Sequence, residues 1–198
     1  MRRVPTWVVY LLGLAYVVWL FWLGATGGLG VEPINALERE LGQTGLKLLV
    51  IGLAITPLRR FTGINLIRFR RAVGVTTFAY IVVHLSVWLV LDLQSFARIW
   101  SDILKRPYIT IGIVAFTLMI PLAVTSNNLS VRKLGMAWRK LHKLIYIIVV
   151  LGGIHFVMVR KGIQLEPLFY LGAILVLLAM RIKWRKPQGR LVRQRDTA

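Results

Sequence analysis

The sequence predicts an all-α membrane protein, a bundle of six transmembrane helices with both termini in the cytoplasm. Hydrophobic residues make up 57% of the 198 positions, and the mean hydropathy is +0.69. The apolar residues fall in long runs, with most charged residues in the stretches between them. A soluble domain of this size would carry more charge and shorter apolar runs. Residues 1–198 are therefore predicted to form a single membrane domain, which ends in a basic cytoplasmic tail at 182–198.

Six apolar segments approach the ~20 residues that cross a bilayer core of ~30 Å. In chain order they are 7–24, 45–58, 72–91, 108–125, 141–159 and 167–181. Because lipid cannot satisfy backbone polar groups, all six should be helices. The first segment follows a basic N-terminus, so a cleaved signal peptide is the alternative. The segment is long for such a peptide and rich in tryptophan and tyrosine, which favours a retained first helix.

The distribution of charge predicts how these helices are oriented. Of the 26 lysines and arginines, 19 lie in the termini and in alternate loops, whereas seven lie in the remaining loops with six of the seven acidic residues. Loops rich in lysine and arginine stay in the cytoplasm, which places both termini there. The net charge of +19 therefore reflects membrane topology rather than nucleic-acid binding, which would need a basic face on a soluble fold.

Three loops carry further expectations. The GGLG sequence of the first outer loop predicts a turn at the membrane surface. A nucleotide-binding glycine loop is the alternative, but no strand precedes it. The inner loop RRFTGINLIRFRR could bind anionic lipid headgroups through its arginines. The second outer loop, DLQSFARIWSDILKRPY, is expected to form an interfacial helix with Trp100 in the headgroup region.

The polar chemistry of the apolar runs is concentrated in three histidines, His84, His142 and His155, since no Asp or Glu lies inside a run. Missing carboxylates disfavour proton pumps and ion-coupled carriers. The chain has no cysteine, which excludes disulfides, thiolate haem ligation, cysteine-ligated iron–sulfur clusters and covalent haem attachment. Imidazole is the commonest protein ligand of haem iron, and two imidazoles on facing helices can hold the iron from both sides.

We expect His84 and His155 to lie at the same depth. The third and fifth predicted helices run in the same direction. His84 comes thirteen residues after Arg71, and His155 comes twelve residues after Lys143. Both histidines are thus placed in the outer half of the membrane, where their imidazoles could bracket one haem iron. A lone membrane histidine that only bonds a neighbouring helix is the alternative.

His142 is expected at the cytoplasmic end, level with Arg70 and Arg71, where the third helix has no histidine. A second haem there would need an unusual partner, an exogenous ligand or five-coordination, with these arginines contacting its propionates. An interfacial histidine that binds lipid or quinone is the alternative. Gly152 and Gly153 would let a flat macrocycle approach the backbone, or could distort the helix and so reorient His142. Such glycines also favour close helix packing.

Several stretches together indicate a family. They run nearly end to end: GGLGVEP, TGLKLLVIGLAITPL, RRAVG, HLSVW, KRPYITIG, PLAVTS, KLGMAWRKLHKLIY and GIHF. In them the chain resembles the ferric-reductase-like transmembrane domain family, and within it the haem-binding membrane subunits of bacterial periplasmic methionine sulfoxide reductases. Compared with the NADPH oxidase cores of that family, it lacks the second histidine on the third helix and the flavin and nicotinamide domain.

The resemblance implies a b-type haem held by His84 and His155, with His142 as the further histidine. It implies an electron-transfer subunit of the inner membrane whose partner is MsrP, a periplasmic molybdopterin enzyme that reduces methionine sulfoxide in oxidised proteins. The implied electron donor is the quinone pool or a cytosolic flavin reductase, and FMN is a further proposed cofactor. The alternatives are a stand-alone ferric or superoxide-generating reductase and a haem-free membrane anchor for a partner.

Overall fold

The computed structural model describes residues 4–93, 103, 105–160 and 164–181, and over them it is helical, without strands. The α-helices in these ranges are α1 (Trp7–Ala25), α2 (Pro33–Thr62), α3 (Arg70–Val87), α4 (Pro107–Val124), α5 (Asn128–Leu141), α6 (Ile145–Val159) and α7 (Leu165–Ala179). A π-helical turn, Trp88–Leu93, continues α3, and a 3₁₀ turn, His142–Leu144, joins α5 to α6. The all-α prediction is confirmed for this part of the chain.

Within the described ranges, five helical stretches are long and apolar enough to cross a membrane. They are α1, α2, Ile67–Leu91, α4 and Asn128–Val159. The sixth predicted segment is also helical, but α7 has 15 residues and spans only ~22 Å against a bilayer core of ~30 Å. The chain is therefore a multi-pass membrane protein.

Helix α2 is much longer than the predicted segment 45–58. It starts at Pro33, a residue whose fixed φ suits the first helical position, and it has 30 residues. Leu37 and Leu41, predicted from the sequence to lie in an outer loop, are buried in a cluster with residues of α1 and α3. Gly63 ends the helix in the left-handed region at φ 74°. At ~45 Å, α2 is longer than the bilayer core is thick, so its first turns extend one end of the bundle.

Helix α5 also lies in a stretch predicted to be a loop. Its start is capped by Asn127, whose side chain accepts a hydrogen bond from the Ser130 amide. Gly135 kinks it at φ 48° and ψ −112°. None of its residues is buried in the bundle. Apolar residues recur at helical spacing along this helix, with basic residues between them. This pattern is typical of a helix that lies in a membrane interface.

The bundle is built from two main helix pairs, α2 with α3 and α4 with α6. Helix α1 packs on the first pair, mostly against α3, where the Tyr80 hydroxyl donates to the Gly13 carbonyl oxygen at 2.7 Å. Helix α7 packs against α6 and α2, and Ile174 in this contact is fully buried. The pairs meet around a cavity lined by residues of all four helices. The predicted interfacial helix with Trp100 and the tail 182–198 lie outside the described residues.

Candidate functional site

A cavity of about 760 Å³ lies between α2, α3, α4 and α6. Its volume falls in the ~300–1,000 Å³ range of cofactor pockets. Most of its wall is apolar, formed by side chains that include Leu46, Leu49, Ile81, Leu85, Trp88, Ile109, Ile113, Phe116, Met119, Ile148 and Phe156. We call the end of the bundle where Glu32, Trp88, Arg106 and Arg160 lie the cavity end.

His84 of α3 and His155 of α6 both line this cavity. The Nδ1 atom of His84 lies 2.9 Å from the Glu38 carbonyl oxygen of α2. The Nδ1 atom of His155 lies 2.7 Å from the Tyr108 carbonyl oxygen of α4. A carbonyl can only accept, so each Nδ1 carries the hydrogen and donates it. In the neutral rings the Nε2 lone pairs are then left free to bind a metal.

Each of these rings lies against a glycine of the neighbouring helix. A Cβ atom added to Gly42 would stand 3.0 Å from Cε1 and 3.1 Å from Nδ1 of His84. At Gly112 it would stand 3.0 Å from both Cε1 and Nδ1 of His155. Contacts at 3.0–3.1 Å are tighter than nine in ten real Cβ contacts, so the two glycines leave the space that the rings fill.

The mouth of the cavity is charged. We use the word mouth for the part of the cavity lining at the cavity end that is formed by Glu32, Asn35, Glu38, Arg39, Arg106 and Arg160. Arg160 also forms an ion pair with Glu166 at 3.6 Å, and the buried Gln43 side chain donates to the same carboxylate. Three guanidinium groups at the rim of an apolar cavity suit a ligand with an apolar body and a carboxylate edge.

His142 lies at the opposite end of the bundle, which we call the basic end and define by Arg70, Thr125 and His142. Its Nε2 is 3.0 Å from the Thr125 hydroxyl oxygen, which in turn donates to the Pro121 carbonyl at 2.6 Å. The His142 ring stacks on Trp138 with 3.9 Å between ring centroids. Because Thr125 gives its hydrogen to Pro121, His142 donates from Nε2. In this arrangement that nitrogen is not free to bind a metal.

The predicted arginines of the third helix also lie at the basic end. Arg71 donates to the Asn128 side-chain oxygen at 2.6 Å, tying α3 to the start of α5. Arg70 lies beside Tyr146 and Arg181 and interacts electrostatically with His142. Arg181 in turn donates to the Tyr146 hydroxyl at 3.2 Å and to the Leu53 carbonyl. That carbonyl lacks its usual helical partner because residue 57 is a proline.

The structure thus brings together His84 and His155 but places His142, Arg70 and Arg71 elsewhere. Of the two predicted glycines, Gly152 lines the cavity, whereas a Cβ on Gly153 would point at Leu171 and Ile174 of α7.

Several site residues could not be predicted from the sequence: Gly42, Gly112, Arg39, Arg106, Arg160 and the carbonyls of Glu38 and Tyr108. The arginines had been counted only as loop charges. No local sequence signal marks the glycines or the carbonyls, because their role depends on a neighbouring helix.

Comparison with known proteins gives a consistent result. Residues 41–153 match the family model described as ferric reductase like transmembrane component. The chain is 47% identical over 177 residues to a protein of Agrobacterium fabrum called protein-methionine-sulfoxide reductase heme-binding subunit MsrQ, with 89% of this chain and 82% of that protein covered. Proteins of the same name from Brucella anthropi and Brucella ovis are 42% and 43% identical, over 93% and 91% of this chain and 86% and 85% of their own.

Proposed function

This chain belongs to the MsrQ family of methionine-sulfoxide reductase haem-binding subunits and contains the ferric-reductase-like membrane domain, and on that premise we propose that it is a b-type cytochrome of the bacterial inner membrane. It relays electrons across that membrane to the periplasmic molybdopterin enzyme MsrP, which uses them to reduce methionine sulfoxide in oxidised proteins. The observation that carries the proposal is the histidine pair His84 and His155, which faces one cavity with each Nδ1 held by a backbone carbonyl.

The residues present fit a haem. Two imidazoles with free Nε2 lone pairs would hold the haem iron. The apolar walls suit the macrocycle, and the cavity of about 760 Å³ is large enough for a cofactor of that size. When bound, the haem iron supplies the one-electron redox chemistry. The Nδ1–H···O=C bonds of His84 and His155 fix the orientation of both rings and make Nε2 a better donor.

The chain's other residues bind the cofactor's edge and exclude water. Arg39, Arg106 and Arg160 stand at the mouth, where they would neutralise the two carboxylates of a b-type haem. Buried or half-buried residues of the wall, such as Met119 and Ile148, keep the cavity apolar. Because the walls are apolar, the three arginines contribute strongly to the charge near the haem. Charge near a haem is one of the features by which a protein tunes its reduction potential.

We place the cavity end at the outer surface and the basic end in the cytoplasm, with six crossings and both termini inside. The positive-inside bias supports this orientation. The chain has no cysteine, so single cysteines can report it cleanly. Val31 is fully exposed near the cavity end, and Phe61 is 65% exposed near the basic end. In spheroplasts, Val31→Cys should react with a membrane-impermeant maleimide, and Phe61→Cys should react only after permeabilisation. The reverse pattern would overturn the orientation.

Electrons are proposed to enter at the basic end, from the quinone pool or a cytosolic flavin reductase. His142 is the residue placed to take part, either as the ligand of a second haem or as part of a donor contact. Its bond to Thr125 must open before Nε2 could bind iron. Haem and flavin measured per polypeptide in one purified sample would give the number of haems, and would test the FMN that the resemblance implies.

The test of the proposed function is direct. Purified protein should give a reduced-minus-oxidised spectrum of low-spin b-type haem, and quinol should reduce that haem. Membranes that contain the protein should then support reduction of methionine sulfoxide by added MsrP. Full support of that reaction by a haem-free preparation would overturn the proposal and favour a membrane anchor.

A stand-alone ferric or superoxide-generating reductase is the second candidate, and the match to the ferric-reductase-like model favours it. It predicts rapid oxygen consumption or Fe³⁺ reduction by the reduced protein without MsrP. The relay proposal predicts slow oxygen consumption that does not compete with transfer to MsrP. Measuring both rates on one sample separates the two activities.

A further inference from the structure

We infer that Gly42 and Gly112 are positioning residues for the two histidines, and that the cavity is built from two copies of one three-part unit. In each unit a histidine ring of one helix lies against a glycine of a neighbouring helix. The histidine donates to the backbone carbonyl that lies one helical turn before that glycine. The first unit is His84, Gly42 and the Glu38 carbonyl; the second is His155, Gly112 and the Tyr108 carbonyl. The inference rests on the proposed haem function and adds residues that determine how its ligands are held.

The geometry of the two units agrees closely. Each glycine follows its carbonyl residue by four positions, so in a regular helix the carbonyl also accepts the glycine's own amide. The Nδ1···O distances are 2.9 and 2.7 Å. The shortest distances from an added Cβ to the ring are 3.0 Å in both units. One unit joins α2 to α3 and the other joins α4 to α6, which are the two main helix pairs of the bundle.

Glycine is needed at positions 42 and 112 because the imidazole ring must lie on the part of the helix surface where the carbonyl oxygen is. A side chain at i+4 on a helix lies over the carbonyl of residue i. Any Cβ at position 42 or 112 would therefore occupy the approach that the imidazole uses to reach that oxygen. An alanine would push the ring away by a few tenths of an ångström, which lengthens or bends the Nδ1–H···O bond and rotates Nε2. The glycine thus acts on the metal ligand through the histidine's orientation.

The experiment compares Gly42→Ala and Gly112→Ala in the full-length haem-loaded protein. Transfer of haem to excess apomyoglobin, the shape of the low-spin electron paramagnetic resonance signal and the haem's midpoint potential are measured. Loss of an outer partner of a metal ligand typically costs ~10–100-fold in metal affinity. Each variant should therefore release haem roughly ten times faster or more, with a changed signal anisotropy that reports the altered ring orientation.

Two matched control variants separate an effect on histidine position from simple crowding between helices. Gly45→Ala lies one turn along from Gly42 and crowds the same helix pair, since its Cβ would stand 2.6 Å from Ile81 Cδ1. Gly153→Ala lies on the same helix as His155 and crowds Leu171 and Ile174 at 3.0 and 3.1 Å. Neither control touches a histidine in the structure. Both should lower thermal stability, but the resonance signal, which reports the orientation of the histidine rings, should match the unmodified protein.

A second-site test covers the case in which an alanine variant binds too little haem to measure. His84→Gly is made, and free imidazole is added to replace the missing ligand. In that background Gly42→Ala should have no effect on the spectrum or on haem release, because the ring it displaces is no longer tethered to the chain. An undiminished effect of Gly42→Ala would show that it acts on packing alone and would overturn the inference.

The outcomes distinguish this inference from the function on which it rests. If the unmodified protein binds no low-spin haem, the proposed function fails. If it binds haem, but Gly42→Ala and Gly112→Ala behave like Gly45→Ala and Gly153→Ala, only the positioning role fails. A changed resonance signal in the two glycine variants, with none in the controls, supports both.

Discussion

The two ends of the bundle use histidine in opposite ways. At the cavity end, His84 and His155 line a cavity and donate from Nδ1 to backbone carbonyls, which leaves the lone pair on Nε2. At the basic end, His142 uses Nε2 to bond the Thr125 hydroxyl and stacks on Trp138. All three are partly buried histidines of apolar segments. The hydrogen-bond partners therefore leave Nε2 free in His84 and His155 and engage it in His142.

The contrast between the two ends would fail if His84 and His155 were not needed for haem binding. His84→Ala and His155→Ala should each abolish the low-spin haem spectrum, because each removes one of the two free Nε2 atoms in the cavity. Absorption and electron paramagnetic resonance spectra of purified protein check this. A low-spin spectrum that persisted in both variants would remove the ligand assignment.

The basic end should respond differently to the same change. His142→Ala should leave the low-spin spectrum of the cavity haem intact but block reduction from the cytoplasmic side. Stopped-flow reduction by a quinol, or by a flavin reductase, measures the second effect, while dithionite reduction of the same sample serves as the control. Unchanged quinol-driven turnover would refute a relay role for His142.

A smaller effect is expected from the charges at the cavity mouth. Arg160→Gln removes one of three guanidinium groups there, so the ferric state gains stability and the midpoint potential should fall by on the order of tens of millivolts. Arg68→Gln is the matched control, since Arg68 sits near the basic end and stacks on Phe69. Redox titration of both variants gives the comparison. Equal shifts would place the carboxylate edge away from Arg160.

The smallest effect concerns the partner of His142. Thr125→Val removes the hydroxyl that accepts from His142 and donates to Pro121, which should lower the free energy of unfolding by about 1–3 kcal/mol. Thr117→Val on the same helix is the control, because its exposed hydroxyl donates to the Ile113 carbonyl of its own helix at 2.9 Å. Thermal unfolding in detergent checks both. The haem spectrum should stay the same in both variants. A changed haem spectrum in Thr125→Val would show that the basic end affects the cofactor at the cavity end.

Part of this site could be predicted from the sequence. His84 and His155 follow the basic loops by thirteen and twelve residues, which predicted one depth for both, and the structure puts both in one cavity. The extent of α2 and the presence of α5 could not be predicted in this way. Residues 33–44 are amphipathic rather than continuously apolar, and they are helical because Leu37 and Leu41 find apolar partners on α1 and α3.

The sequence by itself determined the membrane class, the apolar segments, the charge asymmetry and the three candidate histidines. These follow from composition and hydropathy along the chain, which lipid and water select directly. Only the tertiary structure decided which imidazole nitrogen is free, which glycine each ring lies against and which arginines rim the cavity. The deciding bonds join residues 46 and 47 positions apart. They depend on how each helix is rotated against its neighbour, and no local pattern encodes that rotation.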